Sequence, residues 1–275
     1  MMKTVSCLNS WFPVSFEEVC IGLQEQAGPE DTVTDLFFQL ASLDRKRILS
    51  ELQKEDLHLN ELAKRFDLTA TEVLRQLHRM TEARLLERLP DGKYRLTPYA
   101  KVILDTSSPV EFIARHRDYF IDHNAFLLPV EFRARIAELS GARLVGTAVE
   151  TMNSVEQMFN GAQKKIDASV MGVEFLLDVA RKRLEEGLTV RWLIDDSFIP
   201  KARAEFHSVK RLPEMRHTQR IIGQVNVTDR AAMLTIRRND GNISYCAFVG
   251  ENPTFVKWAD ELFTYEWDRA KPWYP

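Results

Sequence analysis

The stretch LNELAKRFDLTATEVLRQLHRM, which begins at Leu59, constrains the fold more than any other part of the chain. Leu59, Leu62, Ala63 and Phe66 recur with the period of one apolar helix face, and Val73, Leu77 and Met80 repeat that period further on. Only Asp67 to Thr69 separates the two patterns, so the helices must turn sharply against each other. Thr69 opens T-A-T-E, a capping box. Its hydroxyl accepts from the Glu72 amide, and the Glu72 carboxylate reaches back to the Thr69 amide.

The flanks extend the pattern. Upstream, Val33 to Gln53 is helical by period: Leu36, Phe37, Leu40 and Leu43 form one apolar stripe, and Ile48, Leu49 and Leu52 form the next. Asp44, between them, is the candidate N-cap of the second helix. Downstream, LLERLPDGKYRLT reads as strand, turn and strand, because Asp91-Gly92 is a favoured two-residue hairpin turn. Thr97-Pro98 restarts a helix, Thr as cap and Pro at its first position. Helix, helix, helix, hairpin, helix is the order of a winged helix-turn-helix.

On the fourth helix Thr71, Arg75 and Arg79 fall one turn apart, with Gln76 alongside, away from the Val73/Leu77/Met80 face. The charge follows them. The whole chain sums to −3, from 37 basic and 40 acidic residues, and residues 1–40 hold one Lys against six acids. Residues 64–101 run the other way, with nine basic residues against five acidic. A basic stretch inside an acidic chain is the footprint of a localised phosphate-binding face, or of a solvated helix face.

LNELAKRFDLTATEVLRQLHRMTEARLLER and PDGKYRLT resemble the winged helix-turn-helix of the ArsR/MarR-like regulators of bacteria and archaea. The resemblance implies that the outer face of the fourth helix enters the major groove of double-stranded DNA, where Thr71, Arg75, Gln76 and Arg79 would meet bases. Lys93 and Arg95, at the wing, would meet phosphate or the minor groove. Two departures stand out. Leu74 replaces the family's small polar residue, and Arg84 replaces a Gly in a left-handed position.

Residues 105–140 follow as a helical bridge. DTSSP makes a polar break, Ser108-Pro109 a helix start, and Phe112, Tyr119, Phe120, Phe126, Leu127 and Leu128 an aromatic-rich pattern interrupted at Pro129. His116, Asp122 and His123 lack a further ligand at matching spacing and read as core or solvated histidines rather than a metal site. The apolar surplus suggests a second subunit, and a C2 dimer would present two recognition helices to a palindromic site.

From residue 141 onward ARLVGTAVE, KIDASVMG and GLTVRWLID are β-branched runs joined by TMNSVEQMFNGAQKK and by VEFLLDVARKRLEEG, which ends in Gly187 as a C-cap. That order predicts βαβ units in a mixed, partly parallel sheet. IIGQVNVTD and a hairpin centred on Asp240-Gly241 follow. The closing helix places Phe255, Trp258, Ala259, Leu262, Phe263 and Trp267 on one side. NVTDRAAMLTIRRNDG and SYCAFVGENPTFVKWADELFTYEWDRA resemble the C-terminal effector domain of archaeal transcriptional regulators of the methanogenesis-regulator (filament) type. That domain is similar in outline to TrmB-like and phospholipase-D-like sheets. The resemblance implies an α/β sensor for a small metabolite.

The exclusions sharpen this. Phosphate-loop, dinucleotide, nucleophile-elbow and zinc-protease motifs are absent, and His207 with Lys210 has the wrong spacing for a phospholipase D motif. A non-enzyme without cofactor is expected. Asp195-Asp196 point to opposite faces of a strand, which argues against a metal. A ligand pocket is expected at the carboxyl ends of the parallel strands. This nominates Met171 to Glu174 and Asp195 to Phe198, with Arg216, His217 and Arg220 as anion contacts and Asp229 and Tyr245 beside the hairpin strands. Three cysteines without metal spacing (Cys7, Cys20 and Cys246) favour a reduced, cytoplasmic setting, and no apolar run is long enough to span a membrane. The N-terminus does not read as a secretory signal.

The expectation is a multi-domain α/β chain: an extension over 1–31, a winged helix over 32–104, the bridge over 105–140 and an effector domain over 141–275. Its expected function is a homodimeric, DNA-binding transcriptional regulator, with a protein-interaction adaptor as the alternative.

Overall fold

A computed structural model describes residues 28–170, 174–206 and 212–274, so Cys7, Cys20, His207, Lys210 and Met171 lie outside the described residues. The chain divides into two compact units, Met1–Asp105 and Thr106–Pro275.

In the first unit, α1 (Pro29–Leu40), α2 (Leu43–Leu52), α3 (Leu59–Phe66) and α4 (Ala70–Glu82) precede the antiparallel hairpin β1 (Leu86–Arg88) and β2 (Tyr94–Leu96). The buried faces are those the periodicity marks: Ile48, Leu49, Leu52, Leu62, Val73, Leu77 and Met80 pack with Leu57, Leu86, Tyr94 and Leu96. Leu57 bonds Tyr94 in both directions, at 2.8 and 3.3 Å, and so adds a third extended segment to the hairpin. Asp67 closes α3 at φ 53°, which lets three residues reverse the chain. Thr69 then opens α4 as expected: its Oγ1 accepts from the Glu72 amide at 3.2 Å, while a Glu72 carboxylate oxygen accepts from the Thr69 amide at 2.9 Å.

Two upstream expectations change. Ser42, not Asp44, caps α2, its hydroxyl accepting from the Arg45 amide at 3.5 Å. Asp44 sits within the first turn, where its charge suits the positive end of the helix. Phe37 and Leu43 are 65% and 64% exposed rather than buried. The break at Ala41-Ser42 puts α1 and α2 out of phase, so no single stripe runs through both.

Helix α5 (Pro98–Arg115) starts on Thr97, whose Oγ1 accepts from the Ala100 amide at 3.1 Å. It passes straight through Pro109, which therefore interrupts no helix and starts none. The ring removes one hydrogen bond to Asp105. Burial of Phe112 within the second unit's core, at 1% exposure, holds the following turn helical. Short helices α6 (Arg117–Asp122) and α7 (Val130–Ala134) and the 3-10 turn Ile136–Gly141 continue this segment, burying Tyr119, Phe132, Ile136 and Leu139 in the same core.

The second unit is mixed α/β. Its strands are β3 (Arg143–Val145), β4 (Lys165–Val170), β5 (Thr189–Asp195), β6 (Glu214–Thr218), β7 (Gly223–Thr228), β8 (Ala232–Ile236), β9 (Ala247–Gly250) and β10 (Lys271–Pro272). They form one eight-stranded sheet in the order β10-β6-β5-β4-β7-β8-β9-β3, parallel at β4-β5 and β5-β6 and antiparallel elsewhere. Helices α8 (Ala148–Gly161), α9 (Glu174–Glu185), α10 (Ile199–Phe206) and α11 (Pro253–Arg269) complete it. Both faces are covered, so β7 and β8 are buried at every position. Leu193 enters one core with Val225, Leu234 and the α11 residues Trp258, Leu262 and Phe263. Its neighbours Trp192 and Ile194 enter the other with Val155, Phe159 and Ala202.

The first βαβ unit read from the sequence does not form. β3 pairs antiparallel with β9 at the sheet edge, and α8 carries the chain past β9, β8 and β7 before β4 begins. The second hairpin is shorter than expected, with pairing only from Ala232↔Gly250 to Leu234↔Phe248. The Asp240-Gly241 turn, with Gly241 at φ 83°, sits at the tip of a long loop. Thr235 Oγ1 donates to carbonyls of that loop, those of Ser244 and Cys246.

Candidate nucleic-acid interface

Thr71, Arg75 and Arg79 are exposed on the outer side of α4, and no ion pair among the described residues holds either arginine. His78 lies on the same side, 3.2 Å from Glu82, and Leu74 stands in the middle of it at 50% exposure. Lys93 is held at the hairpin tip by its backbone, the amide donating to Asp91 Oδ1 at 3.0 Å. Asp91 thus shapes the turn and leaves the Lys93 ammonium to other partners.

Gln76 departs from the expectation. It is 9% exposed, and its Oε1 accepts from Arg45 Nη1 at 3.1 Å inside the unit. At about 100° per residue, Gln76 falls on the seam between the apolar face and the arginine face, and spacing cannot say which way it turns. Arg95 also departs. Its Nη2 lies 2.6 Å from Asp56, which holds that carboxyl below the ordinary carboxylate range. Arg65 is spoken for by Glu51 and Glu55 at 2.7 and 2.6 Å. Arg65 and Arg95 are thus taken up by carboxylates, while Arg75, Arg79 and Lys93 carry no ion pair among the described residues.

Arg84 occupies the left-handed region at φ 58°, as the winged-helix resemblance implies. The Leu85 amide donates to the Met80 carbonyl at 2.8 Å and closes the helix end.

Among the described residues nominated for a ligand in the second unit, Asp195, Asp196, Arg216 and His217 have intramolecular partners. Asp195 is 2% exposed and accepts from Ser197 N and Oγ, from Ile221 N, and from Arg237 Nη2 at 2.5 Å. It ties the end of β5 to the loops that follow β6 and β8. Arg216 lies over Trp267 at 4.8 Å and donates to its carbonyl at 3.0 Å. His217 Nδ1 meets Asp196 Oδ1 at 2.6 Å. Arg220 and Tyr245 are exposed, and the Glu174 side chain lies outside the described residues. Asp229 Oδ1 accepts from the amides of Gln163 and Lys164, both at 2.9 Å, and so anchors the start of β4.

A cleft of about 550 Å³ opens at the other end of the sheet, where β8 begins and β9 ends. Arg143, Ser154, Gln157, Met158, Arg230 and Glu251 line it. The βαβ expectation does not nominate this cleft, which lies where β3 pairs with β9. His116 and His123 pack as core aromatics, His123 stacked on Tyr119 at 3.8 Å. Among the described residues no group of three or more His, Cys, Asp or Glu is placed to hold a metal ion, and no helix is long and apolar enough to cross a membrane.

No protein-family model matches the chain, and no curated protein matches it. Among solved structures it is similar to TrmBL2, described as an archaeal chromatin protein with a novel mode of DNA binding. That match has 18% identity over 78% of this chain and 88% of that one, at a TM-score of 0.42. NucT from Helicobacter pylori is 10% identical over 48% of this chain and 98% of its own, at a TM-score of 0.40. Nuc, a phospholipase D family member from Salmonella typhimurium, is 12% identical over 49% and 98%, at 0.38. At these TM-scores the likenesses carry no statement about what this chain does.

Proposed function

We propose that this chain is a DNA-binding transcriptional regulator, in which residues 32–104 act as a winged helix on double-stranded DNA. The observation that carries the reading is a capped helix, α4, whose exposed Arg75 and Arg79 form no ion pair among the described residues, set on the same unit as a hairpin with Lys93 at its tip. An arginine not held in an ion pair is available for bidentate contact with guanine or phosphate. The regulator acts as a homodimer in the cytoplasm. Its α/β unit senses a small molecule without catalysing a reaction, and the 550 Å³ cleft supports that role by its size.

The test is a gel shift of the full chain on its own promoter region at two salt concentrations. Arg75→Ala and Arg79→Ala are expected to weaken binding to one sequence far more than to others. Lys93→Ala is expected to weaken all DNA alike and to lower the salt slope by about one. Absence of salt-dependent binding to every fragment would overturn the reading. Leu74, half exposed in the middle of the α4 face, favours a second reading, a protein-interaction adaptor. Co-purification with a partner, together with no retention on heparin, would select it.

A further inference from the structure

The first unit buries a cation that forms no ion pair with a carboxylate among the described residues, though Asp35 and Asp44 lie near enough to favour its charge. Arg45, in the first turn of α2, is 5% exposed. Its Nε donates to the Gln39 carbonyl at 2.9 Å and its Nη2 to the Phe38 carbonyl at 2.6 Å. Both carbonyls belong to the last turn of α1, whose terminal oxygens lack helical partners and carry the negative end of the helix dipole. The third arm, Nη1, reaches Gln76 on α4 at 3.1 Å. Phe38 lies against the guanidinium at 5.2 Å. Burial first and then the nearby Arg79 disfavour the charge, Asp35 and Asp44 oppose that shift, and the complete fork keeps the cation in place.

The three bonds have a geometric consequence. Gln76 sits on the seam of α4, and drawing its amide inward fixes the rotation of the helix about its axis. That rotation decides where Arg75 and Arg79 point. A guanidinium about 8 Å from the axis moves by about 1.4 Å for a rotation of about 10°, enough to lose a bidentate hydrogen bond.

We propose that Arg45 is a positioning residue for the DNA-reading helix, latching the carboxyl end of α1 to Gln76 and so setting the angle at which α4 presents Arg75 and Arg79. The proposal rests on the DNA reading above. It assigns Gln76 to the latch, not to a base, and gives Arg45 an effect on recognition without contact with DNA.

The experiment uses the full chain and two duplexes of equal length, one enriched from a random pool by the unaltered protein and one scrambled. Arg45→Met, Arg45→Lys, Gln76→Met and the Arg45→Met/Gln76→Met pair are measured for affinity at two salt concentrations and for thermal melting. Arg45→Met and Gln76→Met are expected to weaken the enriched duplex about tenfold, leave the scrambled duplex within about twofold and keep the salt slope unchanged. The double variant is expected to be no worse than Arg45→Met, and its melting shift to be smaller than the two single shifts combined. Arg45→Lys, which keeps the charge but not the fork, is expected to lose selectivity as well.

A folded Arg45→Met protein with undiminished selectivity overturns the proposal. So does equal loss on both duplexes with the salt slope lowered by about one, which would make Arg45 a phosphate contact. A change of base preference at one position in Gln76→Met alone overturns it too. If the unaltered protein enriches no duplex, the DNA reading fails, and the non-additivity of melting still decides whether the latch exists. Should Arg45→Met not fold, Gln76→Met carries the test, because it removes one acceptor and no charge.

Discussion

Asp195→Asn asks whether a carboxylate at the end of a parallel strand waits for a ligand or holds the fold. Four donors converge on Asp195: Ser197 N and Oγ on one oxygen, Ile221 N and Arg237 Nη2 on the other. An asparagine amide can offer only one oxygen, so one of the two sides loses its acceptor whichever way the side chain turns. With the oxygen left toward Arg237, a guanidinium whose side chain is 10% exposed loses its counter-charge. Breaking one member out of such a pair costs about 3 kcal/mol at the lower end of what buried pairs show. For a unit of this size that is a fall of about 6–12 °C in melting temperature. Tryptophan fluorescence during urea unfolding is the assay, since Trp192, Trp258, Trp267 and Trp273 all lie in this unit. Arg237→Met supplies the second corner of a double-mutant cycle, and the pair is expected to be less destabilised than the sum of the singles by about 2 kcal/mol. A loss below about 1 kcal/mol for Asp195→Asn, with the two substitutions additive, would refute the reasoning and return Asp195 to the role of a binding group.

Three further outcomes follow from single groups. Burial pushes the Glu266 carboxyl up to about 7, with the Ile222 amide and Arg237 opposing that shift and Asp195 adding to it. The native chain keeps this proton between 4.5 and about 7 while the unfolded chain releases it, so the stability it contributes is full at low pH and lost as pH rises through that window. Glu266→Gln, which keeps an acceptor for the Ile222 amide, is expected to flatten the slope in urea titrations across pH; an unchanged slope would assign it elsewhere. Arg84→Gly is expected to raise the stability of the first unit by about 0.5–1 kcal/mol, because glycine adopts φ 58° without steric cost. Thr69→Ala removes the acceptor of the Glu72 amide and is expected to cost about 1 kcal/mol, read as faster hydrogen exchange in the first turn of α4.

The sequence by itself determined the local order of the first unit. The capping box at Thr69, the Asp91-Gly92 turn and the Val73/Leu77/Met80 face all depend on interactions a few residues long, which spacing encodes directly, while the left-handed Arg84 is implied by the family resemblance. It also marked the buried face of α11, since one apolar stripe of that width can only face inward. Tertiary structure decided the rest. A seam residue such as Gln76 turns toward whichever partner lies near, and that partner, Arg45, is 31 positions away. Arg95 loses its freedom to Asp56, 39 positions away, and Asp195 to Arg237, 42 positions away. Strand order is likewise non-local: β3 reads like the start of a βαβ unit, but its pairing with β9 depends on residues about a hundred positions later. That choice opened the cleft at one end of the sheet and filled the other with structural bonds. Periodicity says which face is buried. Only the folded chain says which charges remain unpartnered, and those are the ones left to meet a partner.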